Sequence, residues 1–234
     1  VDYAAAEALL RRLGEFLDQF TTCFGRRVQR RGASRYVRGL LNDSERKSIQ
    51  ALHGRLHDAS AYQGLQHFIT HSPWDAGRVW RQQRARLPVR QGILLLDETS
   101  FPKQGSHSVG VARQYCGALG KIANCQVAVT TALIAEGLSW PTSAELYLPR
   151  EWIDDAARRE RAGIPATVRF HEKWRIGLRH IWQVRAAGLG LDAVVGDADY
   201  GKATSFRTAL ERMGLRYALG IPSFLAVWPL QARR

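Results

Sequence analysis

The sequence has little cysteine, few acids relative to bases and no long apolar run. Three cysteines stand among 234 residues, at positions 23, 116 and 125, which is too few and too scattered for a disulfide framework. Charged residues interrupt every apolar stretch before it reaches the roughly 18 to 20 residues that span a bilayer. The first ten residues carry Asp2 and Glu7 without a basic start, which does not fit a signal peptide. These absences predict a soluble protein of a reducing cytoplasm, with no membrane partner.

Positive charge is what the chain has in excess. Lys and Arg number 34 against 21 Asp and Glu, for a formal net charge of +13, and the hydrophobic content of 45% is that of a folded protein. Six arginines crowd into thirteen positions: Arg26, Arg27, Arg30, Arg31, Arg35 and Arg38. Arginine suits bidentate contacts to phosphate, so the pattern favours a nucleic-acid partner. The alternative is a cationic surface that is only solvated.

Apolar periodicity changes along the chain and predicts two domains. Residues 1–88 read as an all-helical, basic module, in which the arginine-rich stretch after the first helix has no clear period. Helices are predicted at residues 3–20, 42–56, 62–69 and 74–87.

Residues 89–234 read as short strands interleaved with helices. Strands are predicted at residues 92–97, 108–115, 124–136, 138–148, 192–197, 216–221 and 224–228, and helices at 151–162, 171–187 and 203–213. This order predicts a mixed α/β fold, with a sheet flanked by helices after the helical module.

Two of the predicted strands end in an aspartate, Asp97 and Asp197. Neighbouring parallel strands would bring these side chains together at the carboxyl edge of the sheet. Paired carboxylates that stay ionised need a cation, and their hard oxygens suit Mg²⁺ or Mn²⁺. Glu98 should point to the opposite face of its strand, whereas Asp199 could share the face of Asp197 if that strand continued. A helix-capping or turn role is the alternative for each aspartate.

Several segments together resemble bacterial insertion-sequence transposases of the DDE type, which have a ribonuclease-H-like catalytic core. The segments are residues 36–41 with 45–47, 72–75, 95–103, 108–115, 124–127, 145–149 with Trp152, and 196–201. Each segment is weak evidence alone, and their order along nearly the whole chain makes the likeness specific.

The resemblance implies roles for particular residues. Asp97 would be the first catalytic and metal-binding acid and Asp197 the second, because the family's acid stands three positions before a Tyr-Gly pair, here Tyr200-Gly201. The third acid, a glutamate on a later helix, is expected beyond residue 234. The chain is therefore expected to be a fragment or a truncated or decayed copy, with Mg²⁺ or Mn²⁺ as cofactor and little catalysis of its own.

Double-stranded DNA is the expected partner: the terminal inverted repeats of the element and the target DNA, near the bacterial nucleoid. The resemblance also suggests a homodimer. Candidate DNA-binding residues are Arg26, Arg27, Arg30, Arg31 and Arg35 in the helical module, and Lys103, Arg113 and Lys202 beyond it. An ordinary surface role is the alternative for each of the last three. Two other functions stay open: a non-catalytic DNA-binding remnant of a transposase, and another metal-dependent nuclease with the same core.

Overall fold

A computed structural model describes residues 3–41, 43, 47–54 and 61–226 of the chain. The chain divides into two compact units, Val1–Ala85 and Arg86–Arg234. We call them the helical unit and the sheet unit and describe each by itself. None of the described helices combines the length and the apolar character needed to cross a bilayer.

The described residues of the helical unit form five α-helices. They are α1 (Tyr3–Asp18), α2 (Arg27–Leu40), α3 (Ile49–Gly54), α4 (Ala61–Thr70) and α5 (Ala76–Arg86), with a 3-10 turn at Thr21–Cys23. The last residue of α5 belongs to the sheet unit. The helix start predicted at residues 42–45 lies outside the described residues, apart from Asp43, and α3 occupies part of that predicted helix.

The core of the helical unit corrects one prediction, since the arginine-rich stretch without a clear period is the regular helix α2. Phe20, Cys23, Phe24 and Phe68 form the buried cluster of this unit. Helix α2 packs on it through Gly32, where an added Cβ would lie 2.6 Å from the Phe68 ring. Because α2 packs through a glycine and not through a stripe of apolar side chains, its buried face gives no periodic signal in the sequence.

The sheet unit is built on six strands. They are β1 (Gln91–Pro102), β2 (Ala112–Cys116), β3 (Lys121–Ala135), β4 (Leu138–Leu146), β5 (Gly190–Gly196) and β6 (Tyr217–Leu219). Their order is β2-β3-β1-β5-β6, with β4 also paired to β3. The pairs within β1–β4 are antiparallel, whereas β5 runs parallel to both β1 and β6. The predicted mixed α/β architecture is confirmed, and it agrees with a ribonuclease-H-like core.

Five helices belong wholly to this unit: α6 (Arg150–Asp154), α7 (Ala156–Arg161), α8 (Lys173–Ala186), α9 (Ala198–Gly201) and α10 (Thr204–Arg212). Helix α8 packs on one face of the sheet, where Leu94 and Leu96 of β1 join Ile176 and Ile181 in the core. On the other face of β1, Ile93 and Leu95 remain 42% and 37% exposed. The alternation along β1 therefore separates a covered face from one that is partly open.

Three predicted elements differ from the structure. The strand predicted from residue 108 begins only at Ala112, because Val111 N–H donates to Ser108 in a turn and Gly110 has a φ of +80°. The helix predicted at 151–162 is two helices, since the extended Asp155 separates them and caps α7. Residues 224–226 form no strand, because the chain turns through a bond from Leu225 N–H to Pro222. Residues 227–228 of that predicted strand lie outside the described residues.

Candidate active site

Asp97 and Asp197 lie side by side at the centre of the sheet. Leu96 pairs with Gly196 in the parallel register of β1 and β5. The next residue is an aspartate in both cases: Asp97 within β1, and Asp197 directly after β5. Adjacent strands are roughly 5 Å apart, which is the separation expected for these two backbones. Both side chains are exposed. The structure therefore brings the two predicted acids together. The strand predicted to end at Asp97 continues to Pro102, so Asp97 lies within β1, beside the end of β5, and not at the carboxyl end of its own strand.

Each of these carboxylates is oriented by its own backbone. Asp97 Oδ1 accepts a hydrogen bond from Glu98 N–H at 2.7 Å, and Asp197 Oδ1 accepts one from Asp199 N–H at 2.9 Å, which caps α9. The capping role considered for Asp197 is thus real, and it is compatible with metal binding because the second oxygen takes no part in the cap. Asp199 instead pairs with Lys202 at 2.5 Å.

Glu98 lies on the opposite face of β1 from Asp97, under α8. Its Oε2 is 2.5 Å from Lys173 Nζ, and the side chains of Glu98 and Lys173 are 18% and 26% exposed. Burial raises the pKa of the Glu98 carboxyl, and the bond from Lys173 opposes that rise. Sequence reasoning missed Lys173, because no local pattern links residues 75 positions apart in the chain.

Tyr200, three positions after Asp197, belongs to the core of the sheet unit. Its side chain is fully buried. Burial, and then the negative charge of Glu98 and of the two aspartates, raises the pKa of the Tyr200 phenol far above its usual value. Next to it, Gly201 approaches the carbonyl oxygen of Gly220 so closely that an added Cβ would lie 1.8 Å from that oxygen. A buried neutral ring and a tight backbone contact thus support the loop that carries Asp197.

The donor set fits a hard divalent cation, although it is small. Within the described ranges, no group of three or more His, Cys, Asp or Glu side chains is placed to hold a metal ion. Mg²⁺ in proteins is often bound through one or two carboxylates, with water and substrate phosphate oxygens as further ligands. Asp97 and Asp197 would hold such an ion.

The predicted DNA-binding residues of the sheet unit fall at two places. Lys103 and Arg113 are exposed and flank Asn124 of β3, one on each side. They lie about 20 Å along β1 from Asp97, at six residues of extended chain. Lys202, by contrast, follows α9 close to Asp197 and has Asp199 as a partner. Only Lys202 is therefore near the acids.

The predicted DNA-binding residues of the helical unit gather on one element. Arg27, Arg30, Arg31 and Arg35 belong to α2, and Arg26 precedes it. The Arg30 guanidinium is fixed within the unit, since its Nε donates to the Phe24 carbonyl at 3.1 Å.

Comparison with known proteins places the chain in a family. The model of the "DDE superfamily endonuclease" family matches residues 19–234. The chain belongs to this superfamily. DDE superfamily endonucleases generally depend on divalent metal ions. The resemblance deduced from the sequence is thereby confirmed.

A curated relative of this DDE chain is the "probable transposase for insertion sequence element IS701" of Microchaete diplosiphon. The two are 32% identical over 201 residues, which cover 82% of the DDE chain and 50% of the relative. The chain thus spans about half the length of the relative that it matches.

Proposed function

We propose that this DDE chain acts in DNA transposition, as part of an enzyme that cuts DNA strands and transfers those of an insertion sequence. Asp97 and Asp197 are its catalytic acids. The observation that carries the proposal is the parallel pairing of Leu96 with Gly196, which sets two exposed carboxylates next to each other. The family match and the IS701 relative support the same conclusion.

In the proposed reaction, a bound divalent ion would supply the activation, and the residues of the chain would hold and orient its ligands. A divalent ion at paired carboxylates activates a water or a 3′-hydroxyl and stabilises the leaving oxygen of a phosphodiester. The residues of the chain fix the ligands: the N–H groups of Glu98 and Asp199 each hold one carboxylate oxygen. Because these donors belong to the backbone, the ligands are oriented before substrate arrives.

Double-stranded DNA is the proposed substrate. The net charge of +13 raises the local concentration of a polyanion around the protein. Lys202 is the candidate for a phosphate contact close to the acids, and Lys103 with Arg113 for contacts farther along the duplex. Element ends, target DNA and a second copy of the chain are partners that rest on the family resemblance.

Metal binding tests the proposal directly. Mn²⁺ is titrated into the purified chain and followed by electron paramagnetic resonance, with Asp97→Asn, Asp197→Asn and the exposed control Asp154→Asn. We expect each of the first two variants to weaken Mn²⁺ binding at least about tenfold and the control to match the wild type. Equal binding by all four proteins would overturn the assignment.

A further inference from the structure

Helix α2 carries five arginines and no acidic residue. The acid-free stretch extends from Gln19 to Asn42. Like charges three or four residues apart on a helix destabilise it. Such a helix therefore gains stability when an external anion neutralises the charge.

The arginines of α2 are not spread evenly around it. At about 100° per residue, Arg27, Arg31 and Arg38 fall within about 40° of one another, and Arg35 lies at their flank. We call these four residues the arginine stripe. Gln29, Gly32 and Tyr36 occupy the opposite side of the helix.

Packing fixes which side of α2 faces outward. An added Cβ would lie 2.6 Å from the Phe68 ring at Gly32 and 3.1 Å from Leu52 at Gly39. On the same side, the buried Gln29 donates from Nε2 to the Pro73 carbonyl at 3.1 Å. Because these contacts are so close, α2 cannot rotate about its axis, and the stripe is held away from the core.

Three of the four stripe arginines, Arg27, Arg31 and Arg38, differ from Arg81 in their ionic contacts. Arg27 and Arg31 are exposed. In the part of the chain that the structure describes, Arg27, Arg31 and Arg38 form no ion pair. By contrast, Arg81 of α5 lies 3.5 Å from Asp75. An anion that meets the stripe thus displaces no internal partner from these three arginines.

The dimensions of the stripe fit a B-form duplex. Arg27 and Arg38 are about 16 Å apart along the helix axis, which corresponds to about five base-pair steps. The major groove of B-DNA is about 12 Å wide and admits one α-helix, whereas the major groove of an RNA duplex is too narrow for side chains to read.

We propose that α2 docks in the major groove of double-stranded DNA, with the arginine stripe on the phosphates that border the groove. This inference rests on the proposed function only in taking DNA as the partner. It assigns the electrostatic contacts to Arg27, Arg31, Arg35 and Arg38, and gives Arg30 a structural role through its bond to the Phe24 carbonyl.

The salt dependence of binding tests the inference. Fluorescence anisotropy with a labelled 20-base-pair DNA is measured over a range of salt concentrations for the wild type, Arg27→Ala, Arg31→Ala, Arg38→Ala and the control Arg81→Ala. Each stripe variant should lower the slope of log K against log salt by about 0.9 and weaken binding about tenfold at low salt. Arg81→Ala should match the wild type. Thermal midpoints verify that all variants fold.

Three outcomes would overturn the docking. One is an unchanged salt slope in the stripe variants, and another is an equal loss in Arg81→Ala. The third is equally tight binding of an RNA duplex of the same length. Failure of the proposed function is separate: a wild-type chain that binds no DNA removes the partner, whereas normal DNA binding with unaffected stripe variants removes only the docking site.

Discussion

At the scale of single residues, the pair Glu98–Lys173 links two elements next to the candidate acids. It joins β1 to the first residue of α8 directly behind Asp97. Lys173 Nζ also lies 5.5 Å from the centre of the Tyr147 ring. A partly buried ion pair adds little net stability by itself, yet removal of one partner leaves a charge without compensation.

Lys173→Met should therefore destabilise the sheet unit. Methionine keeps most of the apolar stem and removes the ammonium, so the Glu98 carboxylate loses its nearest cation. We expect the free energy of unfolding to fall by about 1 to 3 kcal/mol, measured by urea denaturation. The double variant Lys173→Met with Glu98→Gln should recover most of the loss. A single variant as stable as the wild type would contradict this account.

At the scale of elements, strands were easier to predict than the most charged helix. The apolar runs that end at Asp97 and Asp197 predict buried strands, and β1 and β5 occupy those positions. Helix α2 gives no such signal, because its packing side consists of glycines, a glutamine and a tyrosine. The contact between Glu98 and Lys173 could not be predicted, since only the folded sheet brings the two together. The catalytic and metal-binding roles of the aspartates stay predictions.

Glycine substitutions test the packing of α2. Gly32→Ala forces a methyl group against the buried Phe68 ring and should cost about 1 to 3 kcal/mol of stability. Gly64→Ala in α4 is the matched control, because its Cβ would meet nothing within 4 Å. Since alanine favours the helix, the control should stabilise by about 0.5 to 1 kcal/mol. Thermal unfolding should show a lowered midpoint for Gly32→Ala and a raised midpoint for Gly64→Ala. Midpoints that shift in the same direction would refute the packing argument.

The contact between β4 and α8 gives the sheet unit a pH dependence. Burial by itself would raise the pKa of Glu145, but His180 and Arg179 outweigh it and lower that pKa. Arg179 lies 2.5 Å and His180 3.8 Å from the carboxylate. A carboxyl with a lowered pKa contributes stability above its unfolded-state pKa of about 4.3, and the contribution is lost as the pH falls through the folded-state pKa.

Glu145→Gln should therefore reduce the dependence of the free energy of unfolding on pH in the acidic range. The expected loss at neutral pH is about 1 kcal/mol, because the pair is partly exposed to solvent. The difference from the wild type should shrink below about pH 4, where the native carboxyl also becomes neutral. Denaturation series between pH 3 and 7 measure this, with exposed Glu160→Gln as control. A constant difference across that range would disprove the link.

At the scale of the whole molecule, the arginines proposed to bind DNA and the aspartates proposed to bind metal belong to different units. The arginine stripe lies in the helical unit, and Asp97 and Asp197 lie in the sheet unit. The proposed chemistry needs a divalent ion, whereas phosphate contacts by arginine need none.

DNA binding should consequently be independent of metal. We expect EDTA to leave the affinity for a duplex within about twofold, and the double variant Asp97→Asn with Asp197→Asn to bind at least as tightly as the wild type, because it lacks two negative charges. Anisotropy at fixed ionic strength measures both. A large loss of affinity in EDTA would contradict this expectation, since it would show that the two aspartates and their metal ion contribute to DNA binding.

The side chains of Asp97 and Asp197 are exposed, and Asp97 shares the face of β1 on which Ile93 and Leu95 are partly open to solvent. In the proposed function, a DNA duplex reaches these exposed carboxylates directly from solvent. An exposed site of this kind requires no conformational opening, but it also does not distinguish one phosphodiester of the DNA backbone from another. Selectivity among DNA sites must then come from the residues that bind the duplex, and the site of binding determines the site of cleavage.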